Sequence, residues 1–169
     1  MLEAIRQRRS VRHYKPDPVP TEALKEIAEA AFSAPSACNF RPWHLIFVTD
    51  GAKREALSRV HQWAGFCAEA PVVVVVCGDP AVSEHWWIED CCAATENAMI
   101  QAAALGLGTC WIGIRGDQQR GFTCEETVRR ILDIPEGIRV LCTFSLGYPA
   151  DKGSNRGPGP MENVHYEHW

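Results

Sequence analysis

Apolar positions along this chain repeat with two different periods. Leu24, Ile27, Ala28 and Ala31 fall at i, i+3, i+4 and i+7, the stripe of an amphipathic helix. Thr21, directly after Pro20, is placed to cap that helix, and Pro35 ends it. The opening nine residues, with Leu2 and Ile5 three apart among charges, predict a short helix that stops near Ser10 and carries Arg6, Arg8 and Arg9 in its last turn. Residues 53–64 predict a third helix with Leu57, Val60 and Ala64 inward, and residues 123–132 a fourth, opened by Thr123 and Glu126 in capping-box spacing. From Glu84 to Leu105 there is neither glycine nor proline. Ile88, Cys91, Cys92, Thr95, Ala98, Met99, Ala102 and Leu105 keep near one side, which describes a long helix capped by Gly106.

The second period belongs to strands. Residues 44–49, 109–114 and 138–148 are rich in β-branched and aromatic side chains, and the run of five valines from Val72 to Val76, between Pro71 and Gly78, predicts a strand covered on both faces. Helices and strands mix without strict alternation, so the pattern favours an α+β domain around a mixed sheet. Residues 149–160 are rich in glycine and proline, yet "NVHYEHW" follows them. That tail is either a frayed end or an arm that adds a last strand to a sheet, and Val164, Tyr166 and Trp169 favour the arm.

Composition narrows the function. A length of 169 residues suits a single domain, and 46% hydrophobic against 22% charged residues excludes disorder. A mean hydropathy of −0.17 leaves more apolar surface than a chain this size requires, which hints at a subunit interface. A net charge of −4 argues against a nucleic-acid partner, which demands excess cations. The longest apolar run is too short to cross a membrane, and the charged first residues do not read as a secretion signal, so the eight cysteines are expected as reduced thiols of a cytoplasmic protein. No CxxC pair occurs, and the six histidines show no metal-ligand spacing, so they read as surface or packing residues.

Against that acidic background, five cations gather near the N-terminus: Arg6, Arg8, Arg9, Arg12 and Lys15. The guanidinium forks of Arg8, Arg9 and Arg12 beside the Ser10 hydroxyl suit a phosphate and neighbouring hydroxyls, although cations ending a helix also simply complement its dipole. In "SAPSACNFRPWH" (33–44), Ser36, the Ala37 backbone and the Asn39 amide can face a flat polar ligand, although asparagine is also an ordinary turn former. In "LGLGTCWIGI" (105–114), glycines close a helix and lead into a strand, the reverse of a dinucleotide-binding turn. Gly113, inside the strand, permits close approach of a ligand to the backbone.

In this order and spacing, "RRSVRHYKPDPVP", "APSACNFRPWH", "GLGTCWIG", "SLGYP" and an arginine ahead of "MENVHYEHW" resemble the short members of the nitroreductase family of FMN-dependent oxidoreductases, over essentially the whole chain. The resemblance implies a mixed, mainly antiparallel sheet flanked by helices, with residues 149–169 exchanged as an arm in a homodimer. It implies that Arg8, Arg9 and Ser10 contact the FMN phosphate and ribityl chain, and that Arg12 reaches the pyrimidine edge of the flavin. Pro35, Ser36, Ala37 and Asn39 resemble the loop a second subunit lays over the flavin; Trp111, Ile112 and Gly113 resemble the segment lining the ring near N5. Lys152 or, preferably, Arg156 resembles a late cation closing on the phosphate. The implied activity is hydride transfer from NAD(P)H and ping-pong delivery of electrons to a nitroaromatic, quinone or related acceptor. Dehalogenation, enoate reduction or non-enzymatic flavin binding are the alternatives on such a scaffold. Arg41 stands where many relatives have glutamine, which makes the entrance more cationic. Trp86 and Trp87, adjacent on a helix, cannot both face the core, and one of them is a candidate for stacking on substrate.

Overall fold

The computed structural model describes the chain except residues 120–121 and 154–156, with Gln119 and Phe122 described by backbone alone. Five helices, α1 (Glu3–Gln7), α2 (Thr21–Phe32), α3 (Gly51–Ser58), α4 (Trp87–Ala104) and α5 (Cys124–Leu132), accompany six strands: β1 (Trp43–Val48), β2 (Val72–Gly78), β3 (Gly108–Gly113), β4 (Gln118–Gln119), β5 (Phe122–Thr123) and β6 (Arg139–Gly147). The main sheet runs in the order β1-β2-β6-β3, with every ladder antiparallel; β4 and β5 form a separate small ribbon. A parallel contact is supplied by the isolated bridge between Ser10 and Thr109.

Both faces of the sheet are covered, which is why the valine run need not alternate. Val72, Val74 and Val76 pack with Phe144 and Leu146 against Ile27 of α2 and the small-residue face of α4. Val73, Val75 and Cys77 pack on the other side with Leu57, Val60, Ile112 and Val128. Alanines and Cys91 on α4 let that helix lie close to both α2 and the sheet.

Several ends differ from the expected ones for identifiable reasons. Thr21 is the first helical residue rather than the cap, because extended Pro20 holds the cap position and leaves no side-chain oxygen there. The helix expected over 53–64 starts at Gly51, capped by Asp50 accepting from the Lys53 N–H at 2.8 Å, and stops at Ser58; Val60 and Ala64 still reach the core from turns. The capping box of Thr123 and Glu126 is formed in both directions. Gly106 closes α4 with a φ of +74°, a left-handed conformation that glycine adopts without penalty. The helix expected from Glu84 begins at Trp87, which is buried while Trp86 is exposed.

The largest difference concerns the N-terminal cations. The first helix ends at Gln7, so Arg8 and Arg9 lie on an extended segment and not in a helical turn. Burial of Val11 and Tyr14 draws that segment onto the sheet: Val11 N–H donates to Thr109 O (2.9 Å), and Tyr14 Oη hydrogen-bonds Val11 O (2.5 Å) and Ser145 Oγ (2.6 Å). Gly108 makes the approach possible, since a Cβ there would collide with the Val11 side chain. On its other side the segment is tied to the exit of β6, through Lys15 N–H to Tyr148 O and Ala150 N–H to His13 O, both at 2.9 Å. The described part of the tail forms a single turn, Met161–Asn163, and no strand; Val164, Tyr166 and Trp169 are exposed.

Candidate functional site

These ties bring chain segments 140 residues apart to one groove. Arg8, Arg9 and Lys152 line a cavity of about 490 Å³ together with Glu3, Arg6 and Gly153, floored by Gly106, Leu107 and Gly108. Arg9 is ion-paired with the Asp151 carboxylate and also donates to the Asp151 carbonyl at 2.8 Å. Arg8 lies 3.6 Å from Glu96. A Cβ on Gly153 would overlap the Arg9 guanidinium, so a larger residue there would shift that side chain. The carboxyl-terminal end of α4 also faces this groove and favours cations there on its own account.

Further along the same strand, Arg12, Trp111, Ile112 and Gly113 line a smaller pocket of about 170 Å³ with His61, Trp63, Phe66 and Cys110. The Arg12 guanidinium stands 5.9 Å from the Phe66 ring centroid. Nothing lies within 4 Å of where a Cβ on Gly113 would stand, so its backbone is open on that side. Cys110 lies in β3 between the two sets of cations. Burial raises its thiol above the usual range, opposed by the charges of Arg12 and Arg8 and by a hydrogen bond with Ser10. The N-terminal segment therefore places Arg8, Ser10 and Arg12 in succession along β3.

Pro35, Ser36, Ala37 and Asn39 are not part of this arrangement within the chain. Their loop sits at the opposite end of α4, where the Ala37 N–H donates to the buried Asp90 carboxylate at 2.9 Å, and Ser83 Oγ donates to the other Asp90 oxygen at 3.1 Å. Asp90 and the groove residue Ala103 are separated by about 20 Å along the helix axis. Cys38, Asn39 and Arg41 all have positive φ, at 47°, 58° and 52°. Side chains close the loop on itself, with the Arg41 N–H donating to Ser36 Oγ (3.0 Å) and Arg41 Nε to Asn39 Oδ1 (2.9 Å). Arg41, expected to make an entrance more cationic, is exposed on this loop. Arg156 lies outside the described residues.

Three participants carried weaker signals. Asp151 sits beside Lys152 in a glycine-rich tail, an acid next to an expected phosphate cation. Phe66 lies in a segment with no periodicity and gave none. His61 read as a surface or packing residue; its side chain is only 12% exposed and Nε2 lies 3.1 Å from Asp117 Oδ2. Among the described residues no group of histidines, cysteines and carboxylates could hold a metal ion, and no helix is long and apolar enough to cross a membrane.

The chain is similar to known proteins in sequence and in fold. The sequence model described as the nitroreductase family matches residues 5–66 and 60–148. A relative from Methanothermobacter thermautotrophicus, whose name joins NADH dehydrogenase to NAD(P)H nitroreductase, is 36% identical over all of this chain and 87% of its own. The FMN reductase [NAD(P)H] of Bacillus subtilis is 27% identical over 99% of this chain and 73% of its own. The solved structure of an FMN-dependent nitroreductase from Clostridium difficile superposes with a TM-score of 0.94, at 32% identity and with both chains covered completely.

Proposed function

The chain belongs to the nitroreductase family, and from that premise we propose that it is an FMN-dependent oxidoreductase, taking hydride from NAD(P)H and delivering electrons to a nitroaromatic, quinone or related acceptor, at a site built by two copies of the chain. The observation that carries this reading is that β3 lines two cavities in succession, a cationic groove at Gly108 and Thr109 and a pocket from Cys110 to Gly113 whose backbone is open. The names of the relatives support the cofactor and the hydride donor.

The donor set fits the cofactor. Arg8, Arg9 and Lys152 offer the charge a phosphate dianion requires, and Gly153 lets Arg9 lie flat beneath the tail. Ser10, on the next residue, adds a hydroxyl. Arg12 places positive charge beside the pocket in which Trp111, Ile112 and the backbone of Gly113 form a wall. Bound there, the flavin supplies the hydride acceptance and electron transfer that no side chain provides. The protein's part is to fix the ring, to stabilise negative charge near Arg12, and to limit water.

Two features support a second copy as part of the site. The pocket beside Gly113, at about 170 Å³, is smaller than the 300 Å³ or so from which ligand pockets usually start. The loop of Pro35, Ser36, Ala37 and Asn39 lines neither cavity of its own chain, and its tie to Asp90 through the Ala37 N–H leaves it available to a neighbour. Exposed Phe32, Phe40 and Trp86 supply apolar surface near that loop for such an interface. The exposed aromatic tail is available as the exchanged arm, and residues 1–169 act as one flavin-binding unit of a cytoplasmic enzyme.

The test is spectroscopic. Purified protein should be yellow or become so with FMN; anaerobic NADH or NADPH should bleach it, and a quinone or nitroarene should restore the colour. Protein that takes up FMN without being bleached by either nucleotide would be a flavin binder and not this enzyme. Protein that takes up no FMN would overturn the reading entirely.

A further inference from the structure

The pocket beside Gly113 has a wall that the flavin reading does not use. Trp63 lines it while remaining 71% exposed. A lone exposed tryptophan needs no explanation, but this one is carried on a pinned backbone. The Trp63 N–H donates to His61 Nδ1 at 3.1 Å, so that nitrogen bears no proton and Nε2 is the donor to Asp117 Oδ2, also at 3.1 Å. Asp117 is fixed in turn: its carbonyl accepts the Cys124 N–H at 2.9 Å, and the Cys124 thiol donates to Val60 O at 3.2 Å. The turn bearing Trp63 is thus latched on both sides to the segment that follows Gly113.

Resting on the flavin reading, we propose that Trp63 is a stacking platform for the flat ring of the partner that exchanges electrons with the flavin, and that His61 and Asp117 position it. The shared chemistry is a planar aromatic ring bearing an oxygen substituent: a nicotinamide carboxamide on one side of the reaction, a quinone or nitroarene on the other. An indole on a hydrogen-bonded turn offers such a ring a broad apolar face at low entropic cost. Trp63 lines the same pocket as Trp111, Ile112 and Gly113, the wall assigned to the flavin, so a ring resting on the indole would lie beside the flavin. His61 and Asp117 touch no substrate in this arrangement; they act through the orientation of Trp63.

The experiment uses FMN-loaded protein, with flavin content measured first for the wild type and each variant. Three electron-exchange partners are compared: NADH, benzoquinone and the non-planar acceptor ferricyanide. A redox-inert planar ligand, benzoate, is titrated by the change in flavin absorbance. Trp63→Leu should raise the benzoate Kd and the KM of at least one planar partner by about five- to tenfold, with kcat little changed and the ferricyanide KM within about twofold. Whichever planar partner responds identifies the source of the ring. Trp63→Phe, which keeps a smaller face, should retain most of the affinity. Asp117→Ala should reproduce part of the rise, and Asp117→Asn, which keeps an acceptor for the Nε2 proton, much less of it. Unchanged benzoate binding and unchanged planar KM values in flavin-loaded Trp63→Leu, or an equal rise for ferricyanide, would overturn the platform. A wild type without flavin would instead overturn the reading beneath it.

Discussion

Arg9 holds Asp151 twice, through the carboxylate and through the carbonyl, and so closes the tail over the cationic groove. The same carboxylate opposes any anion entering that groove. Replacing Arg9 with Gln removes a charge-assisted contact worth about 1.5–3 kcal/mol, so the FMN Kd should rise by roughly one to two orders of magnitude. Riboflavin, which lacks the phosphate, should bind both proteins alike. Asp151→Asn should tighten FMN several-fold at low salt by lifting the opposition. Fluorescence titration of both ligands measures each effect.

Much of this was legible in the sequence, and the gaps have physical causes. The valine run, the Thr123 capping box and the buried stripe of α2 depend on local pattern, and all three form as expected. The position of Arg8 and Arg9 was misjudged because it depends on a long-range event, the docking of Val11 and Tyr14 on the sheet, which local helical spacing does not encode. Asp151 and Phe66 became visible only once residues far apart in sequence were brought together. The loop of Pro35 to Asn39 follows a family pattern, and within one chain it lines neither cavity.

Cysteine reactivity gives an independent probe of that loop. Burial pushes the thiols of Cys67, Cys77 and Cys91 up to about 12, and that of Cys142 far above its ordinary value. Cys38, in contrast, is exposed. Brief alkylation of flavin-free protein near pH 8, followed by mass spectrometry, should label Cys38 first. If the loop covers a neighbour's flavin, FMN should slow that labelling several-fold.

Arg12 stands at the edge of the pocket whose backbone is open at Gly113. Its charge favours an electron-rich reduced ring more than a neutral oxidised one. Arg12→Ala should therefore lower the two-electron potential of bound flavin, by about 30 mV for each 1.4 kcal/mol lost. Dye-equilibrium titration measures it, and an unchanged potential would remove Arg12 from this role.

Stability should carry a separate signature of Glu125. Burial raises its carboxyl, but the paired contacts of Arg139 (2.6 and 2.9 Å) and the Val140 N–H (2.9 Å) outweigh burial and hold it below the ordinary value. A depressed carboxyl contributes stability that is complete above its unfolded value, about 4.3, and is lost as pH falls through the folded value. Glu125→Gln should cost about 1–3 kcal/mol near neutral pH, and the deficit should shrink below about pH 4. Urea unfolding at several pH values measures both.

The central claim is that two chains together build one class of flavin site. Sedimentation velocity, recorded simultaneously at the protein and visible flavin absorbances, tests it most directly. A single species of two 18.8 kDa chains carrying two flavins is expected, with flavin lost as dilution drives the chains apart. Full flavin occupancy on a monomer would contradict it.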